Sequence, residues 1–223
     1  MSTPSLMRIG VLKAGLFLLC LMPAARLAWR AWHGSLGANP VEVVTRAAGW
    51  WTLGMLVLTL SVTPLRRLSG LPWLLRFRRM LGLFAFAYGM THLSLYLWLD
   101  QFFDWSAIVD DIFKRPFITV GMTALVLMAP LAATSTNRMV KRLGARRWQA
   151  LHRLIYAIAP LGVLHYWWLV KRDIREPEMF LALVALLLGY RVVVVVRESR
   201  QMRRPQRAGA PPATRTPAGQ TRS

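Results

Sequence analysis

Six long apolar runs separated by short charged segments make up most of this chain. They cover Ile9 to about Trp29, Ala47 to Leu65, Leu81 to Leu99, Pro116 to about Thr134, residues 148–170, and Met179 to Val196. Each is close to the roughly 20 residues that a helix needs to cross a bilayer core. The pattern predicts an all-α, polytopic membrane helix bundle with about six transmembrane helices.

The punctuation fits. The segment to Thr45, with His33, Gly34, Gly37 and Pro40, reads as a loop, and Thr63-Pro64 ends run two. Pro116 opens run four, where proline suits a first helical turn. Run one has a basic start and alanines near Pro23, as a signal peptide would. Arg26 and Arg30 follow at once, however, and no clean small-x-small site stands out, so a retained helix is expected. Residues 1–46 thus form an N-terminal helix and loop, and 47–197 the membrane core. Residues 198–223, rich in Arg, Pro, Ala and Gly, form a basic tail expected to be disordered.

Composition supports the membrane and excludes its main rival. The chain is 55% hydrophobic yet carries a net charge of +20. A nucleic-acid binder would also be basic, but it would not need repeated apolar runs near spanning length, so no nucleic-acid partner is expected. The single cysteine, Cys20, rules out a disulfide framework and a thiolate metal site, and reads as a small lipid-facing or packing residue. Many of the ten tryptophans fall near run ends, as an interfacial belt requires. Tyr166, Trp167 and Trp168, beside His165, read as part of that belt rather than as an electron path.

Loop charge sets the orientation. Arg66, Arg67, Arg76, Arg78 and Arg79 follow run two, and Arg138, Lys141, Arg142, Arg146 and Arg147 follow run four, with no acid among them. Asp100, Asp104, Asp110 and Asp111 follow run three. Basic loops stay cytoplasmic, so both termini are expected in the cytoplasm, with Arg26, Arg30 and Arg46 left at the opposite interface.

Candidate chemistry lies in three intramembrane histidines. Ionisable side chains within spans are costly and mark function, and imidazole is an axial ligand of b-type haem. His92 lies eight residues, about 12 Å, from the outer end of its run, and His165 about 9 Å from the outer end of run five. The matched depths make them the best bis-histidine pair, holding one haem b in the outer half of the bilayer. His152, thirteen positions before His165, falls near the cytoplasmic face, where Arg78 or Arg79 shares its depth on run three. Pro160 and Gly162 between the two histidines are candidate kink positions. A second haem at His152, contact with a flavin or quinone, and a hydrogen bond to a propionate all stay open. Arg191, inside run six, either snorkels to the interface or partners an anionic cofactor group. Lys114 and Arg115 are candidate propionate partners on the outer side. His33 reads as an ordinary interfacial residue, and interhelical hydrogen bonding is the plain alternative for any single intramembrane histidine.

The stretches LSVTPLRRL, RRMLGLFAFAYGMTHLSLYLWLD, KRPFITVGMTALVLMAPLAATS and RLGARRWQALHRLIYAIAPLGVLHYWWLVK closely resemble the MsrQ (YedZ) family over about residues 50–195. These are haem-binding membrane subunits of the bacterial periplasmic methionine-sulfoxide reductase system, in the ferric-reductase-like transmembrane group. The resemblance places His92, His152 and His165 on the family's haem-ligand histidines and implies FMN as a further cofactor. It also implies a multi-pass protein of the bacterial inner membrane. Such a subunit passes electrons from quinol or a cytoplasmic flavin reductase to a periplasmic molybdopterin methionine-sulfoxide reductase. The chain shows no glycine-rich dinucleotide fingerprint and no molybdenum-binding domain, so an electron-transfer role is expected, with sulfoxide reduction in the partner. The rivals are another ferric-reductase-like cytochrome b, an anchor for a different periplasmic oxidoreductase, and a non-redox membrane protein with structural histidines.

Overall fold

The computed structural model describes residues 6–170 and 173–203, and every regular element among them is helical. In chain order these are α1 (Leu6–Trp32), α2 (Pro40–Ser69), α3 (Leu75–Leu95), α4 (Trp105–Lys114), α5 (Pro116–Ala133), α6 (Asn137–Leu143), α7 (Ala145–His152), α8 (Ile155–Leu169) and α9 (Arg175–Arg203). A 3₁₀ turn, Pro72–Leu74, leads into α3, and a π-helical turn, Tyr96–Asp100, prolongs it. Five segments are long and apolar enough to cross a membrane: Met7–Trp32, Pro40–Ser69, Pro72–Asp100, Pro116–Ala133 and Arg175–Arg200. The molecule is an all-α, multi-pass membrane bundle.

Several boundaries depart from the hydrophobic pattern. α2 begins at Pro40, inside the expected loop, because Asn39 caps it: its Oδ1 accepts from the Glu42 amide at 3.2 Å. It also runs through Pro64 to Ser69. Arg76, Arg78 and Arg79, expected in a loop, lie on the first turns of α3. The acidic segment folds as α4, capped by Asp104, whose Oδ1 accepts from the Ser106 and Ala107 amides.

The fifth run is not one continuous helix. It breaks at Arg153–Leu154 into α7 and α8, through tight turns in which Arg153 and Leu154 donate to the Ala150 and Leu151 carbonyls. The break falls where polar RRWQALHR gives way to apolar LIYAIAPLGVLHYWW. Pro160 and Gly162, the expected kink positions, lie inside α8. With 15 residues, α8 rises about 22 Å, too short to count among those five spans where six are expected, and it packs against α5 and α9. At the C-terminus, α9 continues to Arg203, so residues 198–203 are helical where a disordered tail is expected; residues 204–223 of that tail lie outside the described residues.

The core is formed where α2 packs along α3, α5 along α8, and α9 against both α2 and α8. Met55 and Leu60 of α2, Ala85 of α3, and Ile158 and Ala159 of α8 are fully buried there. α1 lies at the edge, where Phe17 meets Phe84 edge-on and Tyr88 Oη donates to the Cys20 carbonyl at 2.7 Å. Cys20 is buried and serves packing.

Candidate functional site

α3 and α8 bring His92 and His165 to opposite sides of one cavity of about 600 Å³, their ring centroids 6.1 Å apart and their planes at 78°. Each ring is fixed by a backbone carbonyl of a neighbouring helix. His92 Nδ1 donates to the Thr45 oxygen on α2 at 2.8 Å, and His165 Nδ1 to the Phe117 oxygen on α5 at 2.7 Å. A carbonyl oxygen can only accept, so both rings carry the proton on Nδ1 and keep a lone pair on Nε2. This is the orientation in which an outer-shell acceptor fixes a histidine ligand.

Two glycines make room for the rings. A Cβ on Gly49 of α2 would stand 3.1 Å from His92 Cε1 and 3.2 Å from its Nδ1. A Cβ on Gly121 of α5 would stand 2.6 Å from His165 Nδ1 and 2.8 Å from its Cε1. No ordinary contact is that short, so only glycine lets α5 lie flat against His165. The two glycines form a cradle that seats the imidazoles against neighbouring helices with their ring centroids 6.1 Å apart.

The cavity's polar rim lies at the ends of the helices. Arg115 lines it and pairs through Nε with Asp111 Oδ1 at 3.1 Å. Asp111 Oδ2 also accepts from Tyr96 Oη at 3.0 Å and Gln101 Nε2 at 3.2 Å, so one carboxylate orients two rim residues, Tyr96 and Arg115. Arg46 lines the same rim and pairs with Glu42 at 2.8 Å. Lys114 is turned away, exposed and paired with Asp110 at 2.5 Å.

His152 lies elsewhere, in a second cavity of about 270 Å³ with Arg78, Arg79, Trp148 and Ser135. Arg78 and Arg79 are the α3 residues that the depth comparison places opposite it. Its ring stacks on Trp148 at 4.0 Å, and its Nε2 lies 3.1 Å from Thr134 Oγ1. That hydroxyl already donates to the Pro130 carbonyl at 2.6 Å, so it accepts from His152, which then carries its proton on Nε2. His152 therefore presents the opposite tautomer from the other two, and no second histidine lines its cavity.

Arg191 lines neither cavity. It donates to Tyr156 Oη on α8, and to the Leu60 carbonyl at 3.3 Å and Thr63 Oγ1 at 3.0 Å on α2. Its guanidinium lies 4.8 Å from the Tyr156 ring centroid. His33, in the turn after α1, lies 4.3 Å from the Trp29 ring at a tilt of 54° and is exposed. Sequence reasoning missed Gly49, Gly121, Arg46 and the two carbonyl anchors. The glycines left a signal, being small residues within apolar runs.

Comparison with known proteins completes the picture. Residues 48–163 match the ferric reductase like transmembrane component family. Three curated relatives bear the name protein-methionine-sulfoxide reductase heme-binding subunit MsrQ. The one from Azospira oryzae is 57% identical over 87% of this chain and 84% of its own length. Those from Herminiimonas arsenicoxydans and Ralstonia nicotianae are 54% and 53% identical, over 85% and 86% of this chain and 88% and 90% of their own lengths. Similarity this extensive, spanning both histidine cavities, makes the chain a member of the MsrQ family of ferric-reductase-like transmembrane proteins.

Proposed function

We propose that this chain is a haem-binding electron-transfer subunit of a methionine-sulfoxide reductase system, in which His92 and His165 would hold one haem b. The observation that carries this reading is the paired geometry: two Nδ1-anchored imidazoles on separate helices, 6.1 Å apart across one cavity. No cluster of three or more His, Cys, Asp or Glu that would hold a bare metal ion occurs among the described residues. A cofactor that carries its own metal would ask few ligands of the protein, and this site offers two imidazoles. Arg115 and Arg46 at the rim are placed to neutralise propionates. Haem supplies one-electron redox chemistry; the protein's part is to hold the ring nitrogens, close the apolar walls and place charge at the mouth.

The second cavity is proposed to take the second redox group, a flavin mononucleotide or another haem. Arg78 and Arg79 offer guanidinium donors to phosphate or propionate, Trp148 a flat ring, and His152 an imidazole. The basic face, with α6 and α7, then lies in the cytoplasm and the acidic α4 face outside, in a bacterial inner membrane. Electrons enter on the basic side from quinol or a flavin reductase. They leave near the His92/His165 cavity to a periplasmic molybdenum-containing reductase, which repairs methionine sulfoxide.

A dithionite-reduced minus oxidised spectrum of the purified protein, with a pyridine-haemochrome count per chain, tests the reading. Sharp low-spin b-type bands are expected, and a count of two haems per chain would put haem rather than flavin in the second cavity. Folded protein expressed with ample haem yet lacking those bands would overturn the electron-transfer role.

A further inference from the structure

The segment between α3 and α5 carries a surface that neither cavity uses. α4 has three faces. Ile108, 5% exposed, and the half-buried Asp111 and Ile112 turn toward the bundle. Ser106, Asp110 and Lys114 form a polar exposed strip with an ion pair along it. Between them Trp105, Val109 and Phe113, spaced four residues apart and 64%, 51% and 83% exposed, form an apolar strip that faces away from the bundle, with the neighbouring Phe103 ring 6.4 Å from that of Trp105. Four-residue steps advance about 40° each around a helix, so the strip is continuous and narrow.

The chain around α4 says what covers it. Only Arg115 separates α4 from α5, and only residues 101–104 separate it from the π-helical end of the α3 span. Both flanking helices are membrane spans ending at this face, so α4 is held at the bilayer surface and cannot stand away in water. In the linker, Phe102 and Phe103 adopt left-handed backbone at φ 48° and 59°, a conformation that bulky residues avoid; both are exposed, and Phe102 also lines the His92/His165 cavity. Trp98, one turn earlier, is exposed as well. A polar strip beside an aromatic strip, level with the ends of two spans, is the arrangement of an interfacial helix.

We propose that α4 lies in the plane of the membrane interface, with Trp105, Val109 and Phe113 inserted among the lipids of that leaflet and Ser106, Asp110 and Lys114 facing water. The lipid bilayer is the occupant of this strip, which steadies the edge of the His92/His165 cavity, since Asp111 of α4 holds the cavity-lining Arg115 and Tyr96.

The test places spin labels one at a time on the full-length Cys20→Ser chain in phosphatidylethanolamine/phosphatidylglycerol nanodiscs. The sites are Trp105→Cys, Val109→Cys and Phe113→Cys against Ser106→Cys, Asp110→Cys and Lys114→Cys. Labels on the first three should collide several-fold more with oxygen than with a water-soluble nickel complex, and labels on the last three should show the reverse. Equal water access at all six sites overturns the proposal, and so does protection of the aromatic strip that arises only on adding a soluble partner protein. A lipid-dissolved carbene reagent on the unsubstituted chain gives the same answer without mutation. Modification confined within α4 to Trp105, Val109 and Phe113 supports insertion, and modification of the spans that spares α4 overturns it.

Discussion

His92 and His165 reach a common depth from α3 and α8, with each Nδ1 spent on a carbonyl of a third and fourth helix, at Thr45 and Phe117. Four helices therefore fix two rings. If the pair holds haem, each single alanine variant leaves the iron with one protein ligand. His92→Ala and His165→Ala should each abolish the main low-spin haem signal in protein that still purifies as a folded bundle. Full haem with an unchanged spectrum in either variant would break the pairing.

The glycine cradle gives a graded expectation. Gly121→Ala puts a methyl 2.6 Å from His165 Nδ1 and must push the ring off the Phe117 carbonyl. Gly49→Ala makes a milder contact at 3.1 Å with His92, which a small shift relieves. Alanine favours a helix over glycine by up to about 1 kcal/mol, so the bundle itself should not weaken. Loss of an outer-shell restraint on a histidine ligand commonly costs about 10–100-fold in metal affinity. Gly121→Ala should fall in that range by haem titration and Gly49→Ala well short of it. Equal affinity for both would remove the cradle from the account.

Much of this site was readable before the fold was known, because depth along a helix is arithmetic. Counting residues from the charged ends of two runs brought His92 and His165 to one level and set Arg78 and Arg79 opposite His152. Phase and close approach were not readable in that way. The break at Arg153–Leu154 depends on where α7 leaves the apolar bundle. The Thr45 and Phe117 anchors are backbone atoms more than forty residues from their histidines, so no side-chain pattern announces them. The start of α2 was legible in principle, since Asn39-Pro40 followed by Glu42 is a cap signal. It was hidden by the glycines and the histidine just before it.

His152 separates from the pair by its tautomer and its cavity. Replacing it removes the stack on Trp148 and the contact with Thr134 Oγ1, neither of which touches the larger cavity. His152→Ala should leave the main haem bands in place while lowering occupancy of the second redox group, read as flavin or haem per chain. Disappearance of all haem from well-folded His152→Ala protein would instead make it a ligand of the main haem.

Arg115 places a cation at the mouth of the larger cavity, held by Asp111. A nearby positive charge favours the reduced, less positive iron, and charge and hydrogen bonding around a haem are established controls of its potential. Arg115→Gln should lower the haem midpoint potential in a spectroelectrochemical titration without loss of haem. Asp111→Asn should alter the potential through misplacement of Arg115 and Tyr96. An unchanged potential in both variants would detach this rim from the cofactor.

Arg191 offers the clearest choice between a structural and a cofactor role. Its donors reach Tyr156 on α8 and Leu60 and Thr63 on α2, so it joins three helices where no carboxylate lies among its hydrogen-bond partners. Hydrogen bonds to a charged group contribute about 1.5–3 kcal/mol each to stability, and removing the guanidinium also leaves Tyr156 and Thr63 short of a partner. A clamp of this kind predicts that Arg191→Met lowers the melting temperature of the purified bundle by several degrees while haem and flavin content per folded chain stay at the unsubstituted level. An anionic-cofactor partner predicts the reverse, with normal melting and a selective loss of one group. The geometry favours the first outcome, because the arginine is already bound on three sides by its own fold.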